Sequence, residues 1–191
     1  MTLKEEFIKL GYTEEDYEII KNNYSVIHIK DEALIKRLKD NFSFLLKMGY
    51  TKEEVIKMTK SLPSIYSYSI ENMKQKIEDM IALGYTKEEV IKMTKSLPSI
   101  YSYSIESIKQ KIEDMIALGY TKEEVIKMTK GLPSIYGLSI ESIKQKIEDM
   151  IALGYTKEEV IKMTKGLPSI YGLSIESIKQ KIEDMIALGY T

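Results

Sequence analysis

The sequence predicts an all-α protein, a right-handed-type α-solenoid of stacked 35-residue repeats, each a helix, a prolyl turn and a second helix. Three observations carry this. The four prolines stand at 63, 98, 133 and 168, always inside Leu-Pro-Ser-Ile-Tyr. The block around them, GYTKEEVIKMTKSLPSIYSYSIESIKQKIEDMIAL at 84–118, recurs four times between residues 49 and 188, and self-similarity at this period marks a stacked array. Apolar residues beside each proline fall three and four apart, the period of a helix. The chain divides into an N-terminal cap with a degenerate repeat (1–48), four full repeats (49–83, 84–118, 119–153 and 154–188) and the start of a further copy (189–191).

The N-terminal part is read first. Residues 2–10 have the pattern of the second half of a preceding helix, and with their charges they form a polar cap. Leu10-Gly11-Tyr12-Thr13 then opens a degenerate repeat, Gly11 to Met48, that begins 38 residues before Gly49 and lacks proline. Glu14, Glu15 and Asp16 make its first helix acidic. His28, the single histidine, lies in Val26-Ile27-His28-Ile29 and reads as a half-buried structural residue.

In the repeat 84–118, Thr86 and Glu89 form a capping box, and Tyr85 with Val90 has the spacing of a hydrophobic staple. A first helix therefore runs from about Lys87 to Leu97, burying Val90, Met93, Thr94 and Leu97. Pro98 ends it, having no N–H and driving its predecessor out of the α region. Pro98 to Tyr101 is short enough for one tight turn. Ser104 caps a second helix whose Ile105, Ile108, Ile112, Met115 and Ile116 form an apolar stripe. Gly119 supplies the left-handed stop. Two such helices cannot bury enough apolar surface alone, so neighbouring repeats must share a core. Gly189-Tyr190-Thr191 restarts the pattern and leaves the apolar side of 154–188 without an expected cover. Truncation of the array is the preferred reading and end-to-end stacking the other; the chain is otherwise expected to be a monomer.

Composition excludes several functions. With 28 basic and 29 acidic residues the formal charge is −1, so no overall basic excess points to nucleic acid or an anionic membrane. Cysteine is absent, which removes disulfides, thiol catalysis and cysteine-based zinc sites. No apolar run reaches the ~18 residues of a membrane span, and the opening residues lack the apolar core of a signal peptide. A cytoplasmic location is expected. No catalytic constellation, metal site or cofactor motif is visible. Abundant isoleucine and lysine with a single arginine, Arg37, match an AT-rich coding sequence and a recently amplified natural array. A consensus-type engineered array is the other reading.

Leu-Gly-Tyr-Thr-x-Glu-Glu-Val, Leu-Pro-Ser-Ile-Tyr and Ser-Ile-Glu-x-Ile-Lys-x-Lys-Ile, taken together, resemble the repeat of the mitochondrial transcription termination factor family over residues 11–188. The resemblance implies an α-helical superhelix that binds nucleic acid, usually duplex DNA rather than RNA, along a basic concave side. Leucine stands before each proline, at Leu62, Leu97, Leu132 and Leu167, where the family often has asparagine. The repeats also lack arginine, the residue best suited to bidentate contacts with phosphate and guanine.

Two sets of candidate ligand residues follow. The second half of each first helix carries a lysine pair: Lys57 and Lys60, Lys92 and Lys95, Lys127 and Lys130, Lys162 and Lys165. Repetition makes these a ladder able to contact phosphates. The plainer reading is a solvated face in which Glu88 and Lys92 form an ordinary i,i+4 pair. The second set comes from differences between copies, because only Ser96→Gly131, Ser102→Gly137 and Tyr103→Leu138 separate the repeats 84–118 and 119–153. Residues Ser67 and Tyr68, Ser102 and Tyr103, Gly137 and Leu138, and Gly172 and Leu173 are therefore candidates for tuning specificity; chance substitution spread by duplication is the plainer account. Tyr66, Tyr101, Tyr136 and Tyr171, with Met58, Met93, Met128 and Met163, read as packing residues. Glu78 and Asp79 oppose their helix dipole and would suit a lysine from the next repeat. Modular nucleic-acid binding and a protein-interaction scaffold remain as two functional readings.

Overall fold

The computed structural model describes residues 2–23 and 32–189, which places the expectation for His28 outside the described residues. Within them every regular element is helical. Eleven α-helices are described: α1 (Leu3–Leu10), α2 (Glu14–Asn23), α3 (Glu32–Met48), α4 (Lys52–Ser61), α5 (Ile70–Leu83), α6 (Lys87–Ser96), α7 (Ile105–Leu118), α8 (Lys122–Gly131), α9 (Ile140–Ala152), α10 (Lys157–Gly166) and α11 (Ile175–Ala187). Short 3-10 helices at Pro63–Ser67, Pro98–Ser102, Pro133–Gly137 and Pro168–Gly172 join the two helices of each full repeat. The fold is an all-α solenoid, and the chain forms two compact units, Met1–Ile105 and Glu106–Thr191.

Local chemistry sets the boundaries. Thr51, Thr86, Thr121 and Thr156 each accept a hydrogen bond from the backbone of the glutamate three residues on, whose side chain bonds back, completing the capping box. Ser69, Ser139 and Ser174 cap α5, α9 and α11 in the same way from one side. The first helices stop at residue 96 or its equivalents, one residue earlier than expected. There Leu97 leaves the helix at φ −137° and its N–H still reaches the Met93 carbonyl. The prolyl segment is a five-residue 3-10 helix, longer than a single turn, with proline at its start where the missing N–H costs nothing. Gly84 and Gly119 take φ values of 117° and 116°, the left-handed stop.

Within each unit the helices form two layers. In the first, α2 lies beside α4 and α3 beside α5; in the second, α8 lies beside α10 and α9 beside α11. Val90, Met93 and Thr94 are buried as expected, and Ile91 joins them, whereas Leu97 is half-buried. On α7, Ile108, Ile112 and Met115 are buried, but Ile116 is 42% exposed and belongs to the outer face. Helix α1 differs from expectation too: Thr2 and Glu5 give it a capping box of its own. It is less polar than a simple cap. Phe7 is buried with edge-on contacts to Tyr12, Tyr17 and Tyr66, and buried Glu6 pairs with Lys39 of α3 at 3.2 Å.

Candidate nucleic-acid interface

The lysine ladder divides into two rungs. Lys57, Lys92, Lys127 and Lys162 are exposed, and no ion pair is described for them. The expected Glu88–Lys92 pair is not among the described ion pairs. The inner lysines are half-buried, and Lys60, Lys95 and Lys165 turn toward the neighbouring repeat. Lys60 reaches Asp16 at 2.5 Å and Lys95 reaches Glu54 at 2.9 Å; Lys165 reaches Glu124 at 2.8 Å. In each case the carboxylate is the third residue of the preceding first helix, the same group that closes the capping box. Lys60 holds the Asp16 carboxyl below the usual carboxylate range, helped by the Thr13 backbone. Glu54 is lowered by the Thr51 backbone N–H and then by Lys95, and Glu124 by Lys165 and then Thr121. One carboxylate thus serves a helix end and a repeat junction together. Asp79, expected to meet a lysine of the next repeat, instead accepts a hydrogen bond from Gln75 at 3.0 Å.

The turn candidates present side chains of two kinds. Ser67, Ser102, Gly137 and Gly172 are exposed, and Tyr68, Tyr103, Leu138 and Leu173 are half-buried. The Ser67 and Ser102 hydroxyls donate to the carbonyls of Ser64 and Ser99, three residues back. The backbone at the second position is held from the preceding repeat: Asn41 donates to the Tyr68 carbonyl at 2.9 Å, Lys76 to that of Tyr103, Lys111 to that of Leu138, and Lys146 to that of Leu173 at 2.5 Å. Burial lowers the Lys111 pKa. The side chain varies while a fixed donor anchors its carbonyl, so exchanging tyrosine for leucine leaves the backbone attachment intact.

Sequence reasoning missed a polar chain beneath this surface. The Tyr50 hydroxyl lies 2.5 Å from the Thr94 hydroxyl and 3.0 Å from that of Tyr101. Thr94 itself donates to the carbonyls of Val90 and Ile91 at 2.9 and 3.0 Å. A threonine hydroxyl has one hydrogen, so Tyr50 donates to Thr94 and accepts from Tyr101. Tyr12, Thr59 and Tyr66 repeat the arrangement, as do Tyr120, Thr164 and Tyr171. Burial dominates the titration of these phenols: Tyr12 is pushed up to about 12, and Tyr50, Tyr66, Tyr101, Tyr120 and Tyr171 are raised. The signal in the sequence was Thr94 inside an apolar stripe, because a buried hydroxyl needs a partner. Tyr66, Tyr101, Tyr136 and Tyr171 are thus packed, with hydroxyl partners described for Tyr66, Tyr101 and Tyr171; Met58, Met93 and Met128 are buried with them, and Met163 is half-buried.

Among the described residues no group of His, Cys, Asp or Glu is placed to hold a metal ion, and no helix is long and apolar enough to cross a membrane. No curated protein sequence matches the chain. The model of the mTERF family matches residues 2–82 and again residues 79–187, nearly the whole length, so this array of capped helices and prolyl turns belongs to the mTERF family.

Proposed function

We propose that the chain is a non-catalytic, modular nucleic-acid-binding protein whose preferred ligand is duplex DNA. Membership of the mTERF family supports nucleic acid as the ligand class. The observation that carries the reading is the division of the lysine ladder. Lys60, Lys95 and Lys165 are engaged in ion pairs between repeats, while Lys57, Lys92, Lys127 and Lys162 stand exposed at the same position of successive first helices. Periodic exposed cations suit a polymer of phosphates, whereas a scaffold needs only the inner rung. In this reading the outer lysines supply affinity, and residues 67/68, 102/103, 137/138 and 172/173 tune preference.

The test is fluorescence anisotropy with labelled duplex DNA and single-stranded RNA at ~50 and ~200 mM salt, where counterion release makes phosphate binding steeply salt-dependent. Expected are binding to duplex that collapses at the higher salt and a salt slope about four units shallower when all four outer lysines become glutamine. Absence of binding at the lower salt overturns the proposal and turns the search toward protein partners. Tighter binding of the RNA overturns the choice of DNA.

A further inference from the structure

The degenerate repeat departs from the others in the charge of its second helix. Over residues 36–48, α3 carries Lys36, Arg37, Lys39 and Lys47 against Asp40, a net of 4 − 1 = +3. The equivalent residues 71–83 of α5 carry Lys74 and Lys76 against Glu71, Glu78 and Asp79, a net of 2 − 3 = −1. Lys36 stands where the full repeats have glutamate, and Arg37 is the only arginine of the chain. Lys39 is committed to Glu6. Lys36, Arg37 and Lys47 are exposed, and no ion pair is described for them.

These cations border a groove between α3 and α5, made of two hollows of 490 and 420 Å³ that share Asp40 and Ile70. Lys36 and Arg37 stand at one end and Lys47 and Lys74 at the other, about 16 Å apart along α3 at the rise of a helix. With Asp40 and Glu71 the lining has a net charge of 4 − 2 = +2. Lys74 lies over the Phe44 ring at 5.9 Å, which steadies its position. Ser69, the cap of α5, and Ser67, a specificity candidate, face the Arg37 end. The groove lies in the layer of second helices, whereas the lysine ladder lies in that of the first.

We propose that the α3–α5 groove is a phosphodiester-binding anchor, separate from the first-helix lysines, with one phosphate held by Lys36 and Arg37 and another by Lys47 and Lys74. Arginine supplies the fork that grips a phosphate from two sides, so the single arginine of the chain marks the tighter end. Asp40 and Glu71 limit the groove to a ligand with separated charges and keep the cations from repelling one another. The anchor rests on the proposed binding of nucleic acid and assigns it a second point of attachment.

The test is an amide chemical-shift titration of the whole chain with a short DNA duplex at ~50 mM salt, repeated with the K36Q/R37Q variant. The α3 sequence is not repeated elsewhere in the chain, so its amides are distinguishable from those of the full repeats. Both substituted side chains are exposed, so the variant should keep its fold, checked by its thermal melt. Expected are shifts at residues 36–47 and 67–74 in the parent, absent in the variant, and a salt slope about two units shallower. Shifts confined to the first helices, with the variant binding as the parent does, overturn the anchor and leave the general function standing. No shift anywhere overturns both.

Discussion

Tyr50 shows how much one hydroxyl does here. It donates to Thr94 of the next repeat and accepts from Tyr101, so it ties the start of one first helix to the first helix and the prolyl segment of its neighbour. In Tyr50→Phe, Thr94 keeps its own bonds to Val90 and Ile91, but the buried Tyr101 hydroxyl loses its acceptor. A loss of about 1–3 kcal/mol is expected in urea unfolding, with Tyr68→Phe at the half-buried turn position as the near-neutral control. The same tyrosines set a pH limit. A phenol kept neutral by burial adds stability that is fully present below its unfolded pKa and disappears as pH rises through the folded one. For Tyr12 that window runs from the ordinary 10.0 to about 12, and the other buried tyrosines are shifted in the same direction. The urea midpoint should therefore hold steady up to about pH 9.5 and fall above pH 10, with tyrosinate absorbance rising together with loss of helix.

At the scale of the element, two kinds of glycine should respond in opposite ways. Gly84 sits at φ 117°, so Gly84→Ala places a side chain in the left-handed region and is expected to cost about 1 kcal/mol. Gly131 ends α8 without a positive φ, and an added Cβ would meet nothing within 4 Å. Gly131→Ala should stabilise by about 0.4–1 kcal/mol, read as a rise in melting temperature. These helix boundaries were legible in the sequence because the forces behind them are local: Thr86 and Glu89 are three residues apart, and Pro98 acts on its own neighbour. The junction chemistry was not legible in the same way. Lys92 had Glu88 in view four residues back on its own helix, whereas Lys95 pairs with Glu54, 41 residues earlier, on a helix that its own repeat does not contain. Ile116 was misplaced for a different reason. Its spacing of four from Ile112 fits the buried stripe, but one residue past Met115 turns it about 100° around the helix, onto the outer face. Of the candidate site, the sequence named all eight first-helix lysines alike; the division into exposed outer and half-buried inner lysines depends on which neighbouring carboxylates the fold brings near, as the α3–α5 groove depends on two helices being brought together.

For the whole molecule, the same junction is used again and again, and this predicts how the array tolerates changes of length. Residues 119–153 and 154–188 are identical in sequence. Removing 119–153 in register should give a protein that still unfolds cooperatively, with a denaturant m-value lower by about one-fifth, as m follows the surface exposed. A deletion of half a repeat, by contrast, should abolish cooperative unfolding. The tyrosine chain shows why register matters. Tyr50 reaches Thr94 and Tyr101 at separations of 44 and 51 residues, and Tyr12 reaches Thr59 and Tyr66 at 47 and 54. The difference of three is the extra length of the degenerate repeat. Asn41 and Lys76 nevertheless both reach their carbonyls at 27 residues, so the insertion falls between Tyr12 and Asn41. Because these links join a repeat only to the next, adding copies lengthens the chain without lengthening any loop that must close. Relative contact order therefore falls as the array grows, and the search for native pairings should be no slower in a long array than in a short one.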